Sequence, residues 1–160
     1  MAIQVLKRVD HAAIKVNQLT IIFLCILAFV FNMPWVVALV ALVMLVGVLR
    51  KAPGFDFVYR YAALPLGLAK PDILSDHPEP HRFAQLLGGL VLTAGSISFL
   101  IGTAAAGWAM VWLVIALAAL NAFGGFCVGC ALYYWFGRLS IPGFTRQPPA
   151  GSIPGMRPEG

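Results

Sequence analysis

A chain of 160 residues that is 61% hydrophobic and 11% charged, with a mean hydropathy of +0.89, carries less than half of the roughly 25% charge with which a soluble domain covers itself. This excludes an ordinary water-soluble enzyme and, over most of the length, intrinsic disorder. Three cysteines are too few for a disulfide scaffold, and the length fits one domain.

The charges are segregated. They fall within residues 7–15, 50–82 and 138–159, and the runs between, residues 16–49 and 83–137, contain no Asp, Glu, Lys or Arg. A membrane-spanning helix needs about 20 apolar residues, so each run holds two spans. The chain therefore reads as an all-α integral membrane protein with four transmembrane helices. Asp10 is the expected N-cap of the first, residues 11–31, whose length of about 32 Å crosses the hydrocarbon. Asn32-Met33-Pro34 is the turn, Asn tolerating a left-handed position and Pro suiting the first position of the next helix. The second span, residues 34–49, is short, so Arg50 and Lys51 must snorkel or the bilayer must adapt. Residues 54–70 are too polar to span, and Asp56 and Arg60 lie four apart; an interfacial helix or elbow is expected there. Residues 70–82 form a polar loop with three prolines. The third span covers residues 83–102, with residues 103–107 as a small-residue turn. The fourth stretch, residues 108–137, would be about 45 Å long, more than the hydrocarbon thickness, and must tilt, protrude or break. Residues 1–140 are thus read as the membrane domain. Residues 141–160, rich in Pro and Gly, are read as a flexible or partner-bound tail.

Every Lys and Arg lies in the N-terminal segment, the central loop or the tail, which places both termini and that loop in the cytoplasm. Trp35 and Trp108 then mark the outer interface, and Tyr133, Tyr134 and Trp135 the inner one. Anionic membrane lipid is a sufficient partner for the basic balance, and no nucleic acid is required. The first apolar run leads straight into a second, so no cleavable signal peptide is expected.

The sharpest local motif is Gly124-Gly125-Phe126-Cys127-Val128-Gly129-Cys130. Cys-x-x-Cys is the spacing of dithiol redox centres, and a helix N-terminus at the first Cys stabilises its thiolate. Residues three apart on a continuous helix hold their Cβ atoms about 5–6 Å apart, too far for a disulfide, so the helix must tighten or break, and Gly124-Gly125 is the place for it. The same residues also fit a small-residue packing motif with the cysteines as core fillers. His77 and His81 precede the third span on the side of the cysteines. Two His and two thiolates would suit zinc, but the cysteines lie about 12 Å below the boundary at Arg138 if helical, so a loop His would have to dip to meet them; no metal and no cofactor is expected. Asn17, Gln18, Gln85 and Asn121 lie in or beside spans and must face the bundle interior, either lining a small polar site with His11 and Lys15 or making interhelical hydrogen bonds. Cys25 is read as packing. The spans hold no Asp or Glu, which argues against a proton-coupled pump.

Residues 9–18 (Val-Asp-His-Ala-Ala-Ile-Lys-Val-Asn-Gln), residues 80–85 (Pro-His-Arg-Phe-Ala-Gln) and residues 120–130 (Leu-Asn-Ala-Phe-Gly-Gly-Phe-Cys-Val-Gly-Cys) resemble, in the right order, the bacterial membrane family catalogued as domain of unknown function 4395. The likeness covers residues 9–139 and implies a bacterial inner-membrane location. The frequent association of that family with thioredoxin-like and rhodanese-like proteins implies thiol or sulfane-sulfur handling. The expected function is exchange of a disulfide or of sulfane sulfur with such a cytoplasmic partner. Cys127 would be the attacking thiol and Cys130 the resolving one, Gln18, Gln85 and Asn121 the polar neighbours, and His81 or His11 the proton carrier. The alternative is a non-enzymatic accessory subunit of a larger membrane complex, its Gly- and Ala-rich helix faces binding another helix.

Overall fold

A computed structural model describes residues 7–139, 141–144, 147–148 and 153–158. The chain is mainly helical: α1 (His11–Val30), α2 (Pro34–Leu49), α3 (Asp56–Val58), α4 (Pro78–Leu100), α5 (Ala104–Gly124) and α6 (Val128–Arg138). Two short strands, β1 (Lys7–Asp10) and β2 (Ile73–Asp76), pair antiparallel with Lys7 opposite Asp76 and Asp10 opposite Ile73. The sequence reading held no strand.

Helix α4 packs against α2, α5 and α6, while α1 packs against α2 and α5. The core between them is Ile21, Cys25 and Ala28 of α1, Val37, Val40 and Met44 of α2, Leu92 of α4, and Val111 and Val114 of α5. The outward faces are equally apolar: Phe23, Trp35, Leu100 and Phe123 are all exposed. Helices hydrophobic all round suit a bilayer rather than water. Three of them, α1, α4 and α5, are long and apolar enough to cross a membrane, and α2 is a shorter apolar helix. Inside α4 the hydroxyls of Thr93, Ser96 and Ser98 donate to carbonyls one turn back, so they burden no apolar surface with an unpaired donor.

Several boundaries follow local chemistry as expected. Asp10 caps α1, its Oδ1 accepting from the Ala12 N–H at 3.0 Å. Asn32 sits at φ +51° and Pro34 opens α2. Others differ from the expectation. The third span starts at Pro78 rather than 83, so residues 78–82 are helix, not loop. Prolines in a first turn lose no hydrogen bond, because those N–H groups have no intrahelical partner. Similarly α5 starts at Ala104, before Trp108. The long fourth stretch is two helices, broken where Gly125 takes φ +65° and donates its N–H to Asn121. The expected elbow contains α3, which runs into a π-helical turn at Tyr59–Ala63, with Arg60 paired to Asp56 at 2.7 Å. Asn17 anchors it, Oδ1 accepting from the buried Phe55 N–H at 2.9 Å.

Within the expected flexible or partner-bound tail, the described residues 153–158 are docked on the rest of the chain. The Cys127 N–H donates to Gly155 O (2.7 Å) and the Arg157 N–H to Gly125 O (2.9 Å), with Phe126 bridged to Met156 as in a strand pair. Residues 153–158 therefore lie on the break between α5 and α6.

Candidate functional site: a dithiol beside a His–Asp cluster

The break places Cys127 outside the helix. Its backbone is extended, it serves as the N-cap of α6, and its sulfur accepts the Cys130 N–H at 3.2 Å. That geometry relieves the helical spacing that would hold the sulfurs apart: the Cα atoms are 5.1 Å apart and the two residues form a disulfide. Both are buried.

Gly129 brings this end of α6 against α4. A Cβ there would lie 2.5 Å from Ala84 Cβ and 2.7 Å from Ala84 Cα, closer than any side chain permits. The close approach puts Cys130 beside the first turn of α4, where His81 Nδ1 stands 3.5 Å from the Cys130 sulfur. His81 reaches the cysteines because it is helical, at the top of α4, and α6 begins at the same level. The expectation that a loop His must dip to meet them is corrected by this arrangement.

The other nitrogen of His81 is held by Asp76, at 2.8 Å from Oδ2. His11 Nε2 approaches the same oxygen at 3.2 Å but off the hydrogen-bond line, and the His11 and His81 rings meet edge to face, centroids 5.4 Å apart. The Asp76 Oδ1 accepts the His77 N–H at 2.7 Å. Burial by itself would raise the Asp76 carboxyl, but the two histidine contacts, the charge of His81 and the His77 N–H together hold it well below the usual carboxylate range. An ionised Asp76 needs a proton on His81 Nε2, which leaves the Nδ1 lone pair facing Cys130.

The strands explain why these groups meet. Pairing of β1 with β2 sets Asp10 beside Ile73 and holds the start of α1 against β2. Asp76 is opposite Lys7 in this register, and it is the His11 ring that reaches back to it, at 3.2 Å. The His11 N–H donates to Asp72 O at 2.8 Å. Asp10 accepts from the Tyr59 hydroxyl at 2.5 Å and from the Asp72 N–H at 3.1 Å, and Arg157 of the tail pairs with Asp72.

A cavity of about 550 Å³ opens on the cluster, lined by His11, Gln18, Asp76, His81, Asn121, Cys127 and Cys130 among others. Of the residues singled out in the sequence, seven are thus gathered: Cys127, Cys130, His81, His11, Lys15, Gln18 and Asn121. Gln85 is placed otherwise. Its Nε2 donates to Met44 O at 2.8 Å and leans on Ala52 O, tying α4 to α2, although it borders a second, more apolar cavity of about 570 Å³ that also touches Cys127. Cys25 is a fully buried free thiol in the core. Asp76 was not singled out. Its only local signal is an acidic residue five positions before His81, ahead of a proline-started helix.

A family model described as a domain of unknown function (DUF4395) matches residues 9–138. The chain belongs to this DUF4395 family. No curated protein and no solved structure matches the chain. The DUF4395 match includes both cysteines, both cluster histidines and Asp76, and stops before the tail residues that bond to the Cys127 backbone.

Proposed function

We propose that this DUF4395 chain is a bacterial inner-membrane protein that exchanges disulfide or sulfane sulfur with a cytoplasmic thioredoxin-like or rhodanese-like partner. In this reading α2 is a fourth, short span beside α1, α4 and α5. Both termini, the β1–β2 pair and the dithiol face the cytoplasm, in keeping with the distribution of Lys and Arg. The observation that carries it is the difference between the two sulfurs: Cys127 caps a helix and accepts its N–H, whereas Cys130 faces an imidazole held by a buried carboxylate.

The chemistry follows from that difference. In the reduced pair the Cys127 thiolate, stabilised by the start of α6, attacks a partner disulfide; one new S–S bond forms and the partner's other sulfur leaves as thiolate. Nδ1 of His81 takes the Cys130 proton, and the Cys130 thiolate attacks the Cys127 sulfur, releasing the second partner thiolate. The pair loses two electrons and the partner gains them. Asp76 keeps the ring in the required tautomer and stabilises it when protonated. Gln18 and Asn121 border the space an incoming sulfur would occupy.

Mass-spectrometric trapping in cells tests this. A partner or persulfide adduct should appear on Cys127 and accumulate in Cys130→Ser. Both thiols unmodified in cells, with a silent double variant, would remove the proposal. Cysteine introduced at Met33 or Ala105 should be labelled only from outside; labelling of either from the cytoplasm would reverse the topology.

A further inference from the structure

The reduced form of this site has the donors of a metal centre. The donor atoms of His81, Cys127 and Cys130 all lie within 4.8 Å of one another. Tetrahedral zinc, with Zn–N of about 2.0–2.1 Å and Zn–S of about 2.3 Å, requires an N···S separation of about 3.5 Å. His81 Nδ1 and the Cys130 sulfur already stand 3.5 Å apart. The Nδ1 lone pair is free to coordinate because Nε2 is engaged with Asp76, and a carboxylate behind a ligating His is the outer-shell partner that fixes its tautomer and strengthens it as a ligand. Asp76 itself is too close to His81, at 2.8 Å, for both to bind one ion through those atoms, whose chord at such bond lengths is about 3.3 Å. Two thiolates and Zn²⁺ sum to zero charge, which suits a buried site.

We infer that the reduced dithiol binds one zinc ion through Cys127, Cys130 and His81 Nδ1, with Asp76 in the outer shell and the fourth position open to the cavity that His11 and Asn121 line. Binding replaces two thiol protons by the metal and involves no change of oxidation state. Forming the disulfide removes both sulfur ligands, so oxidation of the pair by two electrons, whatever disulfide accepts them, expels the ion. The inference stands apart from partner exchange: trapping in cells reports on the partner, and metal binding by the purified chain reports on the site alone.

The full chain, purified in mild detergent and reduced, is titrated with Zn²⁺ and, in parallel, with Co²⁺. One zinc per chain is expected, with thiolate-to-cobalt charge-transfer and tetrahedral d–d bands, and with protection of Cys127 and Cys130 from alkylation. His81→Ala and Cys130→Ser should abolish the cobalt bands, Cys25→Ser should leave them unchanged, and Asp76→Asn should weaken zinc about 10–100-fold. Less than one zinc per reduced wild-type chain, no protection of the pair, or affinity unchanged in a helical, monodisperse Cys130→Ser variant would each overturn the site. The stoichiometry and protection measurements use only the wild type and decide the matter even where a variant fails to fold.

Discussion

Cys130 and His81 are 49 positions apart in the chain and 3.5 Å apart in space, sulfur to Nδ1. The Cys130 sulfur has this imidazole beside it, while Cys127 caps the start of α6. In the exchange proposed above, His81→Ala should therefore leave attack by Cys127 nearly unchanged and slow the resolving step about 100-fold, the ordinary worth of a positioned base. Acid quenching of the reduced protein during reaction with glutathione disulfide, followed by intact mass, separates the two steps. An unchanged resolving rate would show that Nδ1 takes no proton from Cys130.

Asp76 is the buried anion that orders this cluster. Its carboxyl is held low in the folded protein, so its stabilising contribution is complete above the unfolded carboxylate value of about 3.9 and is lost as pH falls through the lower folded value. Thermal stability in detergent should fall from about pH 5 downward, and Asp76→Asn should lack that part of the acid limb. At neutral pH the substitution should cost about 3 kcal/mol, since it removes one side of a buried ionic cluster. A variant as stable as wild type at pH 7, with the same acid limb, would contradict this.

Two glycines on the α4 interfaces should respond differently to the same change. Gly129→Ala drives a methyl into Ala84, backbone included, and should cost about 1–3 kcal/mol while moving Cys130 off His81. Gly88→Ala meets only the terminal methyl of Met44 at 2.9 Å, which can swing aside, and should stay within about 0.5 kcal/mol. Paired melting curves, with alkylation rates of reduced Cys130 alongside, check both.

The tail contact offers a third contrast. Gly155 has φ +87° and a Cβ there would lie 2.8 Å from Cys127 O, so Gly155→Val should undock residues 153–158. Cys127 in the reduced protein should then be alkylated about tenfold faster, corresponding to about 1.4 kcal/mol of lost docking. Arg157→Ala, whose pair with Asp72 is partly exposed, should change the rate little, surface pairs being worth about 0–1 kcal/mol.

Much of this architecture is local and could be read from residue order. Charge-free runs gave the apolar helices, Asn32 and Pro34 the first turn, and Gly124-Gly125 the break that makes Cys127 a helix cap. What escaped is nonlocal. Nothing near His11 says that β1 will pair with β2 some 60 residues away, or that the His11 ring will meet Asp76. Nothing near Gly155 says that its carbonyl will meet the Cys127 N–H. Residues 77–81 were misread for a local reason: two prolines in five residues signal a loop, yet in the first turn of a helix they cost no hydrogen bond. The contact between His81 and Cys130 needs both this helical start and the close approach of α6 to α4 at Gly129, which is again nonlocal.

Phe126 and Cys127 expose a short strand edge, and the chain's own residues 153–158 occupy it. A partner that presents an extended segment to this edge competes with an intramolecular ligand, so its apparent affinity falls by the fraction of time the edge is vacant. An epitope or purification handle fused after Gly160 pulls on that same ligand, and binding measured with a C-terminal fusion and with an N-terminal one should not agree.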